Sequence, residues 1–378
     1  MLSEFLDSKE LFYKDIDYDY FPTLWKKIES EFKLPKIVHI VGTNGKGSTG
    51  RFLAWYLYQA GHRVGHYSSP HILDFTERIW IDGSDASKAI LESAHQNLYK
   101  KLDKEDIKRL SYFEYTTLLA IEVYQDVEYV VLEAGLGGEY DATNVFKKLF
   151  SLITPISKDH ESFLGSSLKE IATTKLKSVL TYAILANQKE EIYKVANHLG
   201  IKWQKSDELF TPKEREDIRE FIKNNHFASY LEENLMLALS GVKKLELEYD
   251  LKFLKDVKLR GRFEKIAKNI TIDVGHNLLA ATAIKSELKG KKITLIYNTY
   301  KDKDYKKILN LLKENIEEVL IIDVENDRIL KREILEDFLT SINIKHRAYK
   351  NSMLEASKEY LVFGSFVVVE KFLKEYNP

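Results

Sequence analysis

The run KIVHIVG (36–42) is almost wholly apolar, and the chain leaves it as GTNGKGS (42–48), with three glycines, a lysine and a serine in seven residues. An apolar run of this kind reads as a buried parallel strand. GSTGRFLAWYLYQAG (47–61) follows as a helix, with apolar residues at helical spacing and Gly61 as its stop. Strand, glycine turn and helix in that order aim backbone N–H groups and the positive helix end at one point, which is an anion site. Lys46 adds a charge there, and Ser48 falls in the first helical turn. The spacing is not that of the usual phosphate loop. Only Thr43 and Asn44 separate Gly42 from Gly45, and Gly47 stands between Lys46 and Ser48. These residues alone leave kinase, GTPase and ligase open, beside a plain glycine turn with a solvated lysine.

The strand–helix rhythm continues. YVVLEAG (129–135), LFSLITPI (149–156) and YAILAN (182–187) are further strand candidates with helical patterns between them. From about Thr211 to Asp256 the chain is highly charged and helical, without a good strand. The rhythm then restarts with ITIDV (270–274), KITLIYN (292–298), VLIIDV (319–324) and YLVFGS (360–365). The expected fold is α/β: a phosphate-loop-type doubly wound N-terminal domain, 1–256, and a smaller Rossmann-like α/β domain, 257–378. At 378 residues, two domains are the natural number. A net charge of -1 gives no global reason to expect nucleic acid or a membrane surface as partner. Cysteine is absent, which excludes disulfides, thiolate metal sites and Cys nucleophiles. The N-terminus lacks the pattern of a signal peptide, and no apolar run is long enough to span a bilayer. The chain is expected in the cytoplasm, as a monomer.

A second glycine-rich turn, LEAGLGGEYDATN (132–144), follows a strand and carries an acid, Glu133. YSSPH (67–71), SYFEY (111–115), DHESFLG (159–165), RGRFE (260–264), DVGHN (273–277), KDKD (301–304) and FGSF (363–366) complete an ordered set. Together they resemble the Mur ligase superfamily, and within it the folylpolyglutamate synthase family with its bacterial bifunctional dihydrofolate synthase/folylpolyglutamate synthase members. The resemblance implies an ATP-dependent ligase that adds L-glutamate to dihydropteroate, to a reduced folate, or to both, through an acyl phosphate. It also implies Mg²⁺, as two ions. A single-activity folylpolyglutamate synthase, another Mur-type ligase and a degenerate nucleotide- or folate-binding homologue stay open. The additional N-terminal sugar-nucleotide domain of muramyl-peptide ligases is not expected, because about forty residues precede the loop.

The resemblance assigns roles to particular residues. Gly42, Thr43, Asn44, Gly45, Lys46, Gly47 and Ser48 would cradle the ATP phosphates, with Lys46 also catalytic. Ser69, Glu133 and His160 would be metal ligands, and His160 is implied in catalysis too. Lys175 matches a lysine the family carries as a carbamate, although Leu176, Lys177 and Ser178 follow it instead of Ala-Gly-Ile, so Lys177 competes for the assignment. Arg262 would meet the phosphates and take part in catalysis. Asp273, His276 and Asn277 would contact ATP, the plain alternative for Asp273 being the N-cap of a helix at 278–288. Lys303, Asp304 and Ser365 match motif positions near the nucleotide, and a surface charge cluster is an equal reading of the first two. The candidate ATP contacts are thus divided between the two domains. Ser111, Phe113 and Asp141 would hold the pterin-bearing substrate, with core packing open for Phe113. Glu139 stands where the family has Arg, Lys158 where it has an apolar residue, and Arg260 where it has Pro. An exchange of charge between Glu139 and Lys158 is the expected compensation.

Overall fold

The computed structural model of the chain describes residues 1–9, 17–159 and 161–376. The chain sorts into two compact units, Met1–Ile218 with Glu232–Val257, and Arg219–Leu231 with Lys258–Pro378. Among the described residues no helix is long and apolar enough to cross a membrane.

The first unit is built on an eight-stranded sheet. Its strands are β1 (Lys36–Val41), β2 (Val64–Tyr67), β3 (Ile79–Ile81), β4 (Ser84–Asp85), β5 (Tyr129–Glu133), β6 (Phe150–Ile153), β7 (Ala183–Leu185) and β8 (Trp203–Lys205), in the order β4-β3-β2-β5-β1-β6-β7-β8. All neighbours are parallel except β2–β3 and β3–β4. β1 lies in the middle, with Ile40 opposite Glu133 of β5 and Val41 opposite Ile153 of β6. Five of its six residues are buried, as a strand covered on both faces requires. One face packs Ile37, Val130 and Leu132 against the helix Tyr112–Val123, and Ile153 and Leu185 against the helices Leu168–Leu176 and Glu190–His198. On the other face Leu152 meets Leu53 of the helix Lys46–Gln59 and Gly241 of the helix Leu231–Lys244. The chain leaves β1 toward β2 on one side, while β6 returns on the other. β1 is therefore the point where strand order reverses, and the crevice at the carboxyl ends of β1, β5 and β6 is where such sheets bind ligands.

The second unit carries β9 (Glu264–Ala267), β10 (Ile270–Asp273), β11 (Ile293–Tyr297), β12 (Ile316–Ile321), β13 (Lys345–Ala348) and β14 (Tyr360–Phe363), in the order β13-β12-β11-β14-β10-β9. Only β9 runs antiparallel to its neighbour. Leu295, Val319 and Leu361 form the centre of its core with Ile284, Ile308 and Leu335 from three helices. The segment Arg219–Leu231 is held to this unit by Ser229 N, which donates to Glu287 Oε1 at 2.7 Å, and by Tyr230 Oη, which donates to Asp273 Oδ2 at 2.7 Å.

Because β1 organises the first unit, truncation within it has a large expected cost. Ile40→Ala should destabilise by about 2–5 kcal/mol and Ile40→Val by about 0.5–1.5 kcal/mol, read as shifts of the urea midpoint at constant slope.

Candidate active site

Three segments converge at the carboxyl edge of the first sheet. The first is the loop after β1. Gly42 has φ 150°, and a methyl group there would lie 2.0 Å from Thr154 Oγ1. Gly45, at φ 90°, is the N-cap of the helix Lys46–Gln59. Both positions demand glycine. Thr43 fastens the loop to the chain after β6: its N–H donates to Pro155 O at 3.1 Å, its hydroxyl donates to Ser157 O at 3.1 Å and accepts from Ser157 N at 3.0 Å. Ser48 is buried in the first helical turn, and Asn44 and Gly47 complete the loop. The Lys46 ammonium folds back toward Gly42 O at 3.5 Å and Thr43 O at 3.4 Å, and lies 3.8 Å from Glu133 Oε1.

The second segment is the turn after β5. Glu133 ends the strand and is only 4% exposed. Asp141 closes the turn: its carboxylate accepts from Leu136 N at 2.8 Å, Thr143 N at 2.9 Å and Thr143 Oγ1 at 2.5 Å. Burial raises its carboxyl above the usual range, opposed by those donors and by the Lys46 charge. The Phe113 ring lies against Gly135, where a methyl group would come within 2.5 Å of it, and 5.8 Å from the Tyr67 ring. Ser111 is the N-cap of Phe113's helix, accepting from Glu114 N at 3.2 Å while its own N–H donates to Glu114 Oε2 at 2.8 Å.

The third segment is the helix Leu168–Leu176. Lys175 is 4% exposed and its ammonium donates to Gly42 O at 2.8 Å. Burial, and next the neighbouring Lys46 charge, lowers its amine to about 7. Lys177 differs. It points outward and pairs with Glu139 at 2.9 Å, so only Lys175 of the two faces the loop. This overturns the expected Glu139–Lys158 exchange. Lys158 instead lies 3.6 Å from Glu161 and donates to Ser166 O at 2.7 Å. Ser69 follows β2 and is half-buried. His160 lies outside the described residues. Among the described residues no three His, Cys, Asp or Glu side chains gather as a metal cluster.

In the second unit Arg262, Asp273, His276 and Asn277 come together at the carboxyl end of β10. The Arg262 guanidinium stands 5.5 Å from the centre of the Phe366 ring. Asp273 is not a helix cap. It accepts from Tyr230 Oη, from Phe263 N at 2.9 Å and from Gly275 N at 2.7 Å. Asn277 is the cap of the helix Leu278–Leu288, accepting from Ala280 N at 3.0 Å. His276 Nδ1 is 3.2 Å from Val274 O. Lys303 is buried beside Asp302 at 3.4 Å rather than part of a surface cluster. Asp304 and Ser365 are N-caps, and Arg260 is exposed. Sequence reasoning missed Tyr230, which has no motif around it, and Thr143, which the Asp-Ala-Thr spacing of an Asx turn could have flagged.

No family model matches the chain. The dihydrofolate synthase/folylpolyglutamate synthase of Buchnera aphidicola subsp. Schizaphis graminum is 30% identical over 364 residues, covering 88% of this chain and 86% of that protein. The chain belongs to the dihydrofolate synthase/folylpolyglutamate synthase family. The crystal structure of the Helicobacter pylori folylpolyglutamate synthetase is similar to it at TM-score 0.79 and 38% identity, over 99% of this chain and 97% of that one. A bifunctional folylpolyglutamate synthase/dihydrofolate synthase with Mn, AMPPNP and L-glutamate bound is similar at TM-score 0.82 and 25% identity, over 99% and 97%. The α/β fold class and the ligase class expected from the sequence both hold for this member of the family.

The Glu139–Lys177 pair is partly exposed, with side-chain exposures of 26% and 43%, so its coupling is screened and amounts to about 0.5 kcal/mol. In a double-mutant cycle on stability, Glu139→Lys with Lys177→Glu should recover that coupling. Glu139→Lys with Lys158→Glu should be additive.

Proposed function

We propose that this ligase uses ATP to activate the carboxylate of dihydropteroate or of a reduced folate and joins it to L-glutamate. The observation that carries the reading is the convergence of Lys46 and the buried Lys175 on the carbonyl of Gly42, with Glu133 3.8 Å from Lys46. A loop with this helix-capping geometry binds phosphates, and Lys46 exchanges its weak contacts with Glu133 and its own loop for a phosphate oxygen. The substrate carboxylate attacks the γ-phosphorus, giving an acyl phosphate and ADP. The neutral amine of glutamate then adds to the acyl carbon, and phosphate leaves with the C–N bond formed. Lys46 is a cation placed to stabilise the charge developing in these steps.

Glu133 and Ser69 offer oxygen donors at one sheet edge, the chemistry Mg²⁺ prefers. They would hold one ion, and His160 a second. Bound there, Mg²⁺ neutralises triphosphate charge. Ser111, Phe113 and Asp141 receive the pterin ring, and Asp273, His276 and Asn277 the nucleotide. The protein acts as a cytoplasmic monomer.

The substrate is decided by phosphate release from ATP and Mg²⁺ with L-glutamate, supplying dihydropteroate and tetrahydrofolate in separate reactions. Release with both is the expected result. Release with one assigns a single activity, and release with neither from folded, ATP-binding protein overturns the reading.

Lys175 gives a second test. A neutral amine can add CO₂ and lose a proton, and burial lowers Lys175 to about 7, so that a large share of it is neutral near that pH. Activity should fall in CO₂-depleted buffer and return with bicarbonate. Lys175→Met should lose about 10²-fold in kcat. The stability sign follows from proton counting. The folded amine titrates near 7 and the unfolded one at 10.5, so between these values the unfolded chain holds the extra proton. Stability therefore rises with pH from about 7 to about 10.5, and the burial penalty is fully present below 7. In CO₂-free buffer Lys175→Met should flatten that rise, measured as urea midpoints at pH 6 and pH 9.

A further inference from the structure

His39 has no part in the steps above, yet it sits fully buried in the centre of β1, opposite Leu132 of β5 and Ser151 of β6. Its Nε2 is 2.8 Å from Thr143 Oγ1. That hydroxyl has one proton, which it donates to Asp141 Oδ1 at 2.5 Å. It must therefore accept from His39, which requires the Nε2–H tautomer. Nδ1 has no hydrogen-bond partner among the described residues, so nothing competes for the opposite tautomer. Burial, aided by the charge of Lys148, holds the imidazole well below its usual range and keeps it neutral.

The chain of donors ends on a carboxylate with unequal oxygens. Asp141 Oδ1 takes both Thr143 groups, while Oδ2 takes Leu136 N. Oδ2 therefore keeps room for one more donor. The turn around it is tied from the other side, where Asn144 Nδ2 donates to Glu139 O at 2.8 Å and Lys148 donates to Asn144 Oδ1 and to Ser178 O at 2.9 Å.

We propose that His39 is a positioning residue for the pterin-bearing substrate: by donating through Nε2–H it fixes the Thr143 hydroxyl on Asp141 Oδ1 and leaves Oδ2 turned to the N–H edge of the heteroaromatic ring. The proposal rests on the reading of Asp141 as a substrate contact. Without the donor, the Thr143 hydroxyl is held only by its own bond to Asp141, so the direction of that bond, and with it the carboxylate's, is less fixed than by the backbone donors and His39 together. The cost falls on the affinity for the pterin and not on ATP, whose phosphates meet a different loop.

The test uses the full-length enzyme. His39→Leu keeps the volume and removes the donor, whereas His39→Gln keeps an N–H donor. His39→Leu should raise the KM for dihydropteroate about fivefold or more, as expected for one buried hydrogen bond, with the KM for ATP unchanged. His39→Gln should restore it to within about twofold. In the wild-type protein, long-range ¹H–¹⁵N spectra should show His39 protonated at Nε2 and bare at Nδ1. An unchanged KM in His39→Leu, a His39→Gln variant as impaired as His39→Leu, or an Nδ1–H or imidazolium ring each overturns the proposal. Should His39→Leu fail to fold, the tautomer decides alone. Asp141→Asn separates this proposal from the reading beneath it. An unchanged KM for dihydropteroate in Asp141→Asn overturns the substrate role of Asp141. A raised KM there, with none in His39→Leu, overturns the role of His39 only.

Discussion

The hydrogen bond from the buried Lys175 amine to the carbonyl of Gly42 holds the site together. It joins the helix Leu168–Leu176 to the loop after β1. The same helix accepts the turn after β5, where Glu139 N donates to Thr174 O at 2.9 Å and a methyl group on Gly138 would lie 2.6 Å from Lys175 O. Two strand ends are thus fastened to one helix, the first by the Lys175 side chain and the second by the helix backbone. Burying a lysine so deeply is costly in its charged form, and a neutral amine relieves that cost while keeping a donor for Gly42. On the proposed carbamate reading, the anchor would also be the reactive group, and stability and reactivity would draw on the same burial.

Charge balance around the anchor follows from that choice. Lys46 and Lys175 repel each other, and Asp141 and Asp159 oppose the effect on Lys175. Asp141 is in turn favoured in its ionised form by Lys46. Lys46 meets Glu133 at 3.8 Å, too long for a strong hydrogen bond. The site therefore keeps a cation weakly held, and an arriving phosphate displaces little. A tight Lys46–Glu133 pair would have made the same residues a structural salt bridge.

The parts of the fold legible in the sequence are those where burial on both faces writes a continuous apolar run. β1, β5, β6, β7, β10, β11, β12 and β14 are of that kind. β3 and β4 have three and two residues, and β13 alternates exposed and half-buried positions through Lys345 and Arg347, so their patterns are too short or too polar to separate from loops. Motif residues at strand ends were located because a parallel sheet brings every carboxyl end to one edge. The partner of Glu139 was not. Lys158 and Lys177 are both lysines at moderate sequence distance, and only the docking of the helix Leu168–Leu176 onto the turn selects Lys177. The alternative reading of Asp273 as a helix cap fails for a related reason: the sequence shows an acid before a helix but not that Asn277, four residues on, takes the cap.

Several candidate residues do two jobs at once, and this explains how loops at a sheet edge become rigid enough to be a site. Gly45, Ser111, Asp141 and Asn277 are each the N-cap of the element that follows. A cap satisfies N–H groups that the first turn leaves unpaired, so it fixes the helix start and the loop before it together. A side chain used this way needs no packing from outside to hold its direction. Ser111 shows the economy: its oxygen accepts from Glu114 N, a bond that does not use its hydroxyl proton. Loss of such a residue removes a helix start together with any contact it makes to a ligand, so its loss cannot be read as a contact alone. Residues that act through a cap, as His39 acts through Thr143 on Asp141, separate the two because they leave the cap oxygen in place and change only what holds it.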